Sequence, residues 1–332
     1  MTRTSLTENL TPIAACAHVT GAFFLNGVAV LALGDGTALR LEQGGERRVE
    51  LHKDAAILVA TRAGERLVTG GDDGRVVAMD SQGSVEEFSR EDGKWIDALA
   101  GRGDSSLAWS SGRHVVARDA QGALHHFSAP SSVRGLAYAP KGYRLAIAHY
   151  NGVTLWFPNA AAAPEVLSWK GSHLDVSFSP DGRFLVTSMQ ENALHGWRLA
   201  DKRDMRMSGY PAKTRSFSWS SDGHWLATSG AEACIVWPFK DKDGPMKKPP
   251  RECGVRAAKV SRVAFHPKTL VVAIGYEDGW VLLCRLTDAA EILVRKPLSE
   301  GHDPVAALAW DDDGRRLMFG TSDGNAGVVA MP

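Results

Sequence analysis

Chemistry in a sequence is first sought in side chains that ionise, stack or bind metals at set spacings. The sequence contains no HExxH, no GxSxG, no GxxxxGK[ST] and no GxGxxG following a strand, so the common hydrolytic and nucleotide-binding machineries are excluded by pattern. Its four cysteines, Cys16, Cys234, Cys253 and Cys284, form no CxxC pair and stand beside no histidine at metal spacing, which reads as free thiols in a reducing compartment. His125 and His126 are adjacent on an expected strand, so their side chains leave opposite faces and share no metal. The tripeptide inside Gly101-Arg102-Gly103-Asp104-Ser105 is the composition of a turn. No cofactor and no catalytic group is expected.

The remaining candidates are aromatic and basic residues suited to binding. Lys plus Arg total 38, as do Asp plus Glu, so overall charge selects no partner. The distribution is uneven. Residues 133–259 hold 18 Lys+Arg and 11 Asp+Glu, a net of +7, and six of the ten tryptophans. Loops in this stretch should present His149, Tyr150 and Asn151, then Trp169, Lys170 and His173, then Met189 and Glu191, then Tyr210, Lys213 and Arg215. Aromatic residues, Met and Arg side by side have the composition of a protein-binding hot spot. Trp156, Trp197, Trp219 and Trp237 fall on strands and are assigned to the core. The Pro-rich basic stretch Lys240–Arg251, KDKDGPMKKPPR, is a long loop, read as a solvated connection. Local positive charge with aromatics leaves an anionic partner such as nucleic acid as an alternative, but a neutral chain does not favour it.

These residues must be held by strands. His173–Leu199 reads as apolar runs broken by Ser179-Pro180-Asp181-Gly182 and by a polar turn, the pattern of half-buried antiparallel strands. The same piece recurs, anchored at Phe23, Ala60, Leu99, Tyr138, Phe178, Trp219, Phe265 and Trp310, with spacings of 37, 39, 39, 40, 41, 46 and 45. A period of roughly 40–45 residues with four strands each is the mark of propeller blades. No run nears 18 apolar residues and the N-terminus has no secretory apolar core, so no spanning helix is expected, no membrane association, and a cytoplasmic location is the default.

Over nearly its whole length the sequence resembles the WD-repeat β-propeller family. Gly301-His302 matches the family's Gly-His, with Gly171-Ser172-His173 a spaced version. Asp35, Asp73, Asp278 and Asp323 hold its turn acid, and Trp156, Trp197 and Trp237 hold its tryptophan, followed by Phe157, Arg198 and Pro238 in place of its Asp. Met79-Asp80 and Arg118-Asp119 keep the Asp without the Trp. The expected fold is all-β, one domain over residues 1–332, with eight blades of four antiparallel strands and seven as the alternative. The last repeat ends after its third strand, so Leu10–Ala15 is expected to supply the fourth. The resemblance implies a non-catalytic scaffold for a protein partner, bound here through the loops of the fourth to sixth blades. The alternative is a small ligand or metal in a central channel, against which the Ala, Val, Leu and Phe of the first strands count.

Overall fold

The structure is a computed structural model and describes residues 4–42, 44–297 and 301–332. Among the described residues thirty strands and one short 3-10 turn, Thr7–Asn9, form seven sheets in which neighbouring strands run antiparallel. Six sheets have four strands and one has six. In the six-stranded sheet two long strands, Leu145–Trp156 and Glu165–Phe178, run through what the sequence marks as two repeats, those anchored at Tyr138 and Phe178. Counted as separate sheets the blades are seven, the alternative expectation. The eight repeats occupy these seven sheets because two of them share one.

The turns form where the sequence places them, for a local reason. In Ser179–Gly182, Gly182 adopts φ +75°, its N–H donates to the Ser179 carbonyl at 2.8 Å, and the Ser179 hydroxyl accepts the Phe184 N–H at 2.9 Å. Asp181 accepts the Arg183 N–H at 3.0 Å. Ser220–Gly223 repeats the arrangement, with Gly223 at φ +68°. Such side-chain caps satisfy backbone donors that a tight turn leaves over.

Burial varies along each repeat. Second strands such as Phe184–Met189 and Leu107–Ser111 are buried throughout, because sheet faces are covered on both sides. Fourth strands such as Gly45–Glu50 and Val85–Arg90 are largely exposed. The half-buried alternation expected for all strands therefore holds for edge strands such as Leu124–Ser128, where His125 is half-buried and His126 exposed.

Contacts divide the chain into two compact units. In Ala32–Met207, the first strands of successive repeats approach so closely that only glycine fits. A Cβ on Gly101 would lie 1.9 Å from the Arg62 carbonyl oxygen, and one on Gly135 would lie 2.7 Å from the Asp175 Cα. Cores form between repeats, for example Val68, Val76 and Ile96 with Leu107 and Trp109.

The second unit comprises Met1–Leu31 and Ser208–Pro332. Here Leu10–Ala14 pairs antiparallel with Asn325–Ala330, Leu10 opposite Val329 and Ala14 opposite Asn325, and supplies the missing fourth strand. The segment before it reaches the preceding sheet, where the Leu6 N–H donates to Leu293 at 2.7 Å and the Leu293 N–H donates to Thr4 at 3.0 Å. Leu6 is buried in the cluster of Leu283, Val294, Phe319 and Val329. Deleting residues 1–17 exposes an edge and removes the burial of Leu6 and Ile13, worth ~1.5–3 kcal/mol each. The melting temperature should fall by on the order of 10 °C; a calorimetric melt unchanged by the deletion would show that this strand is dispensable.

Candidate functional site

The link between consecutive repeats has to be fixed to the sheet that follows it. In the Ala32–Met207 unit this is done by buried histidines. His52 Nδ1–H donates to the Asp73 carboxylate at 3.0 Å, and its Nε2 accepts from the Thr69 hydroxyl at 2.9 Å. His173 Nε2–H donates to the Trp169 carbonyl at 3.1 Å, which leaves Nδ1 to accept from Thr187 at 2.7 Å. His149 Nδ1–H donates to the Tyr150 carbonyl and Nε2 accepts from Thr154, both at 2.9 Å. Burial pushes all three below the ordinary imidazole range, so they stay neutral.

His149, His173 and Met189 are thus parts of the interior, at 2%, 0% and 3% exposure, and not loop surface as expected. Their polar or apolar ends find partners within the sheet. What they leave at the surface is a compact group. Tyr150, 56% exposed, pairs with Ser172 across the strands and donates its backbone N–H to the Ser131 hydroxyl at 2.9 Å. Asn151 follows in the left-handed region at φ +67°, and its side-chain oxygen accepts the Gly171 N–H at 3.2 Å. Glu191 accepts the Ser172 N–H at 3.1 Å. A Cβ on Gly171 would meet the Met189 methyl at 2.6 Å and both Glu191 oxygens at 3.0 Å, so glycine lets the two hairpins close on each other. Lys170 is exposed and makes no ion pair among the described residues, and Trp169 is half-buried. Tyr150, Asn151, Trp169, Lys170 and Glu191 are therefore brought together.

Beneath Trp169 lies a residue that the loop-based reading missed. His195 is fully buried, stacked on Trp169 at a centroid distance of 4.0 Å and edge-on to Trp197 at 4.6 Å. Neither ring nitrogen has a hydrogen-bond partner among the described residues, and the Asp204 carboxylate stands 4.0 Å away, beyond bonding reach. Burial, then the neighbouring His173, lower its pKa to about 3. The histidine sits where period-two reading puts an interior side chain on the third strand, but nothing in the sequence marks it as unpartnered.

In the other unit the expectation for Tyr210 is corrected. It is 7% exposed. The Trp237 indole N–H donates to its hydroxyl at 2.6 Å, the hydroxyl donates to Thr228 at 2.7 Å, and Thr228 donates to the Ile235 carbonyl at 2.9 Å. Tyr210 does in its link what His52 and His173 do in theirs. Lys213 is half-buried and Arg215 exposed. Trp156, Trp197 and Trp237 are buried as expected, and Trp219 packs edge-on against Phe239 at 4.7 Å. In the Gly301-His302 pair the histidine is exposed, and Asp303 takes the buried role, accepting from Asn325 at 2.9 Å and pairing with Arg295 at 3.3 Å.

The C-terminal WD40 domain of Sif2 superposes with a TM-score of 0.78, covering 97% of this chain and 98% of that domain at 13% identity. The fold is that of a WD-repeat β-propeller. Residues 263–331 match the family described as the anaphase-promoting complex subunit 4 WD40 domain. The propeller is 28% identical over 116 residues to WD repeat-containing protein 1-B of Xenopus laevis, covering 34% of this chain and 19% of that protein. It is 23% identical over 240 residues to periodic tryptophan protein 2 of Saccharomyces cerevisiae, covering 61% and 26%. It spans about a fifth to a quarter of the length of these relatives. Among the described residues, no helix of the propeller is long and apolar enough to cross a membrane, and no group of three or more His, Cys, Asp or Glu could hold a metal. The four thiols are free, three of them buried.

Two outcomes follow. The unfolded chain protonates His195 near pH 6.5 while the folded chain does so only near pH 3, so within that window the unfolded state holds more protons and stability falls as pH falls. The slope from this residue is ~1.4 kcal/mol per pH unit, steepened by His52, His149 and His173. Urea midpoints measured from pH 7 to pH 5 should drop, and less steeply in His195→Phe; identical slopes would refute the assignment. Tyr210→Phe removes the acceptor of a buried indole N–H and should cost ~1–3 kcal/mol, read as a lowered urea midpoint at unchanged slope.

Proposed function

We propose that the protein is a non-catalytic scaffold that docks a protein partner, with Tyr150, Asn151, Trp169, Lys170 and Glu191 making the contact; Lys213 and Arg215, in the other unit, are proposed as contact residues on their own. The observation that carries this reading is Tyr150, a large aromatic 56% exposed at a hairpin whose backbone is fixed by Ser131, Asn151 and Ser172. An aromatic held in place before binding loses little conformational freedom on association, and interface energy concentrates on such anchors. Lys170 beside it, without an ion pair among the described residues, adds a charge that selects an acidic neighbour on the partner. The propeller relatives support an interaction role in general, and the matched family is named for a subunit of a larger complex.

The test is a double variant, Tyr150→Ala with Lys170→Glu. Both side chains are exposed and their backbone bonds persist, so the melt should be unchanged. The partner recovered with the wild-type protein and identified by mass spectrometry should bind the purified variant at least ~10-fold more weakly, as expected for loss of an anchor worth over 1 kcal/mol. Unchanged affinity would place the contact elsewhere.

A further inference from the structure

A second feature lies in the Ser208–Pro332 part of the chain, within the other compact unit. Beside the link Ser208–Pro211 a cleft of about 300 Å³ opens. The turn Ala231–Ala233 lines it, together with Pro250, Glu252 and Val255. Tyr210 and Trp237, fixed to each other by the 2.6 Å hydrogen bond, line the cleft beside Ile235. This volume stands at the low end for ligand sites, enough for one side chain.

Its chemistry is one-sided. Glu232 and Glu252 both line it, both are exposed, and neither makes an ion pair among the described residues. Three cations close to Pro250 and Glu252 in sequence are engaged elsewhere. Arg256 pairs with Asp278 at 3.1 Å and lies over Trp280 at 3.8 Å, Lys248 pairs with Asp241, and Arg251 lies over Trp225 at 4.4 Å while donating to the Leu286 carbonyl at 3.1 Å. Apart from Ser208, the other lining side chains are apolar or aromatic, and Val255 among them is two-thirds exposed. Apolar and aromatic walls with two unneutralised carboxylates fit a long side chain that carries its positive charge at the tip: the methylene stem covers Val255 and Ile235, and the head meets the carboxylates.

We propose that this cleft binds a lysine or arginine side chain of a basic peptide segment in a partner protein. Its two carboxylates disfavour acidic peptides and nucleic acid, by like-charge repulsion. The site differs from the Tyr150 surface in residues and in the sign of its charge, so each proposal can fail without the other.

Hexalysine amide is the first probe and hexaarginine amide the second, titrated at low ionic strength into the isotope-labelled full chain. Either should produce saturable shifts of the Trp237 indole N–H and the Val255 amide, weakening as salt is added. Hexaglutamate should leave both unmoved. Glu232→Gln with Glu252→Gln should weaken binding ~10-fold or more while leaving the melt and the Tyr150 surface intact. Val255→Lys, which places a cation at the cleft's edge, should weaken it as well. The proposal is overturned if neither basic peptide moves these resonances, or if the double glutamine variant binds hexalysine with unchanged affinity.

Discussion

Three strands of the last repeat, Val305–Trp310, Arg316–Thr321 and Asn325–Ala330, leave an outer edge whose N–H and C=O groups have no fourth strand from the same repeat. An unpaired edge of this kind invites association with other chains. Leu10–Ala14 covers it, and the residues just before that strand are tied to Leu293 in the sheet of the previous repeat. The first strand of the first repeat, Val19–Leu25, then packs against this same last sheet, with Val19 filling the space that a side chain at Gly320 would need. One segment therefore joins the two most distant parts of the sequence. Contacts of such sequence separation form late and carry a large loop-closure cost, so the stability of the terminal repeats is coupled to a short stretch that has little structure of its own.

A second constraint is internal to every repeat. The link that enters a sheet brings polar backbone into a packed interior, where an unpaired group costs more than a hydrogen bond returns. The recurring solution is a hydroxyl on the second strand: Thr69, Thr187 and Thr228, each bonded to a link residue. The link residue is free to vary because the geometry asks only for a ring or hydroxyl of sufficient reach. His52 and His173 meet it with an imidazole, and Tyr210 meets it with a phenol that also accepts from Trp237.

This freedom explains what the sequence disclosed and what it did not. Repeat spacing, turn positions and the missing fourth strand depend on backbone geometry, which Gly182, Gly223 and the alternation of apolar residues encode locally. Two repeats share one sheet because Glu165–Phe178 continues through the link between them; only the backbone shows this. The exposure of link residues depends on partners far along the chain. Tyr150 and Tyr210 look alike in sequence, each an aromatic among small and polar residues. Tyr210 is buried because Thr228 and Trp237, 18 and 27 residues later, offer its hydroxyl an acceptor and a donor. Among the described residues the Tyr150 phenol has no hydrogen-bond partner, and its main chain bonds Ser131 and pairs with Ser172 instead.

The same distinction bears on binding. A buried residue whose side chain completes the internal network cannot also meet a partner without leaving its own bonds unmade. His149, His173 and Tyr210 are committed in this way, and their neutral, desolvated rings show it. Residues fixed through their backbone keep their side chains available. Tyr150 meets that condition and Lys170 is exposed, while the side-chain oxygens of Asn151 and Glu191 accept backbone N–H groups that hold the hairpins. Trp169 stands between the two classes. Its carbonyl anchors His173 and its ring covers His195, so a partner that draws this ring outward must also uncover a histidine with no hydrogen bond of its own.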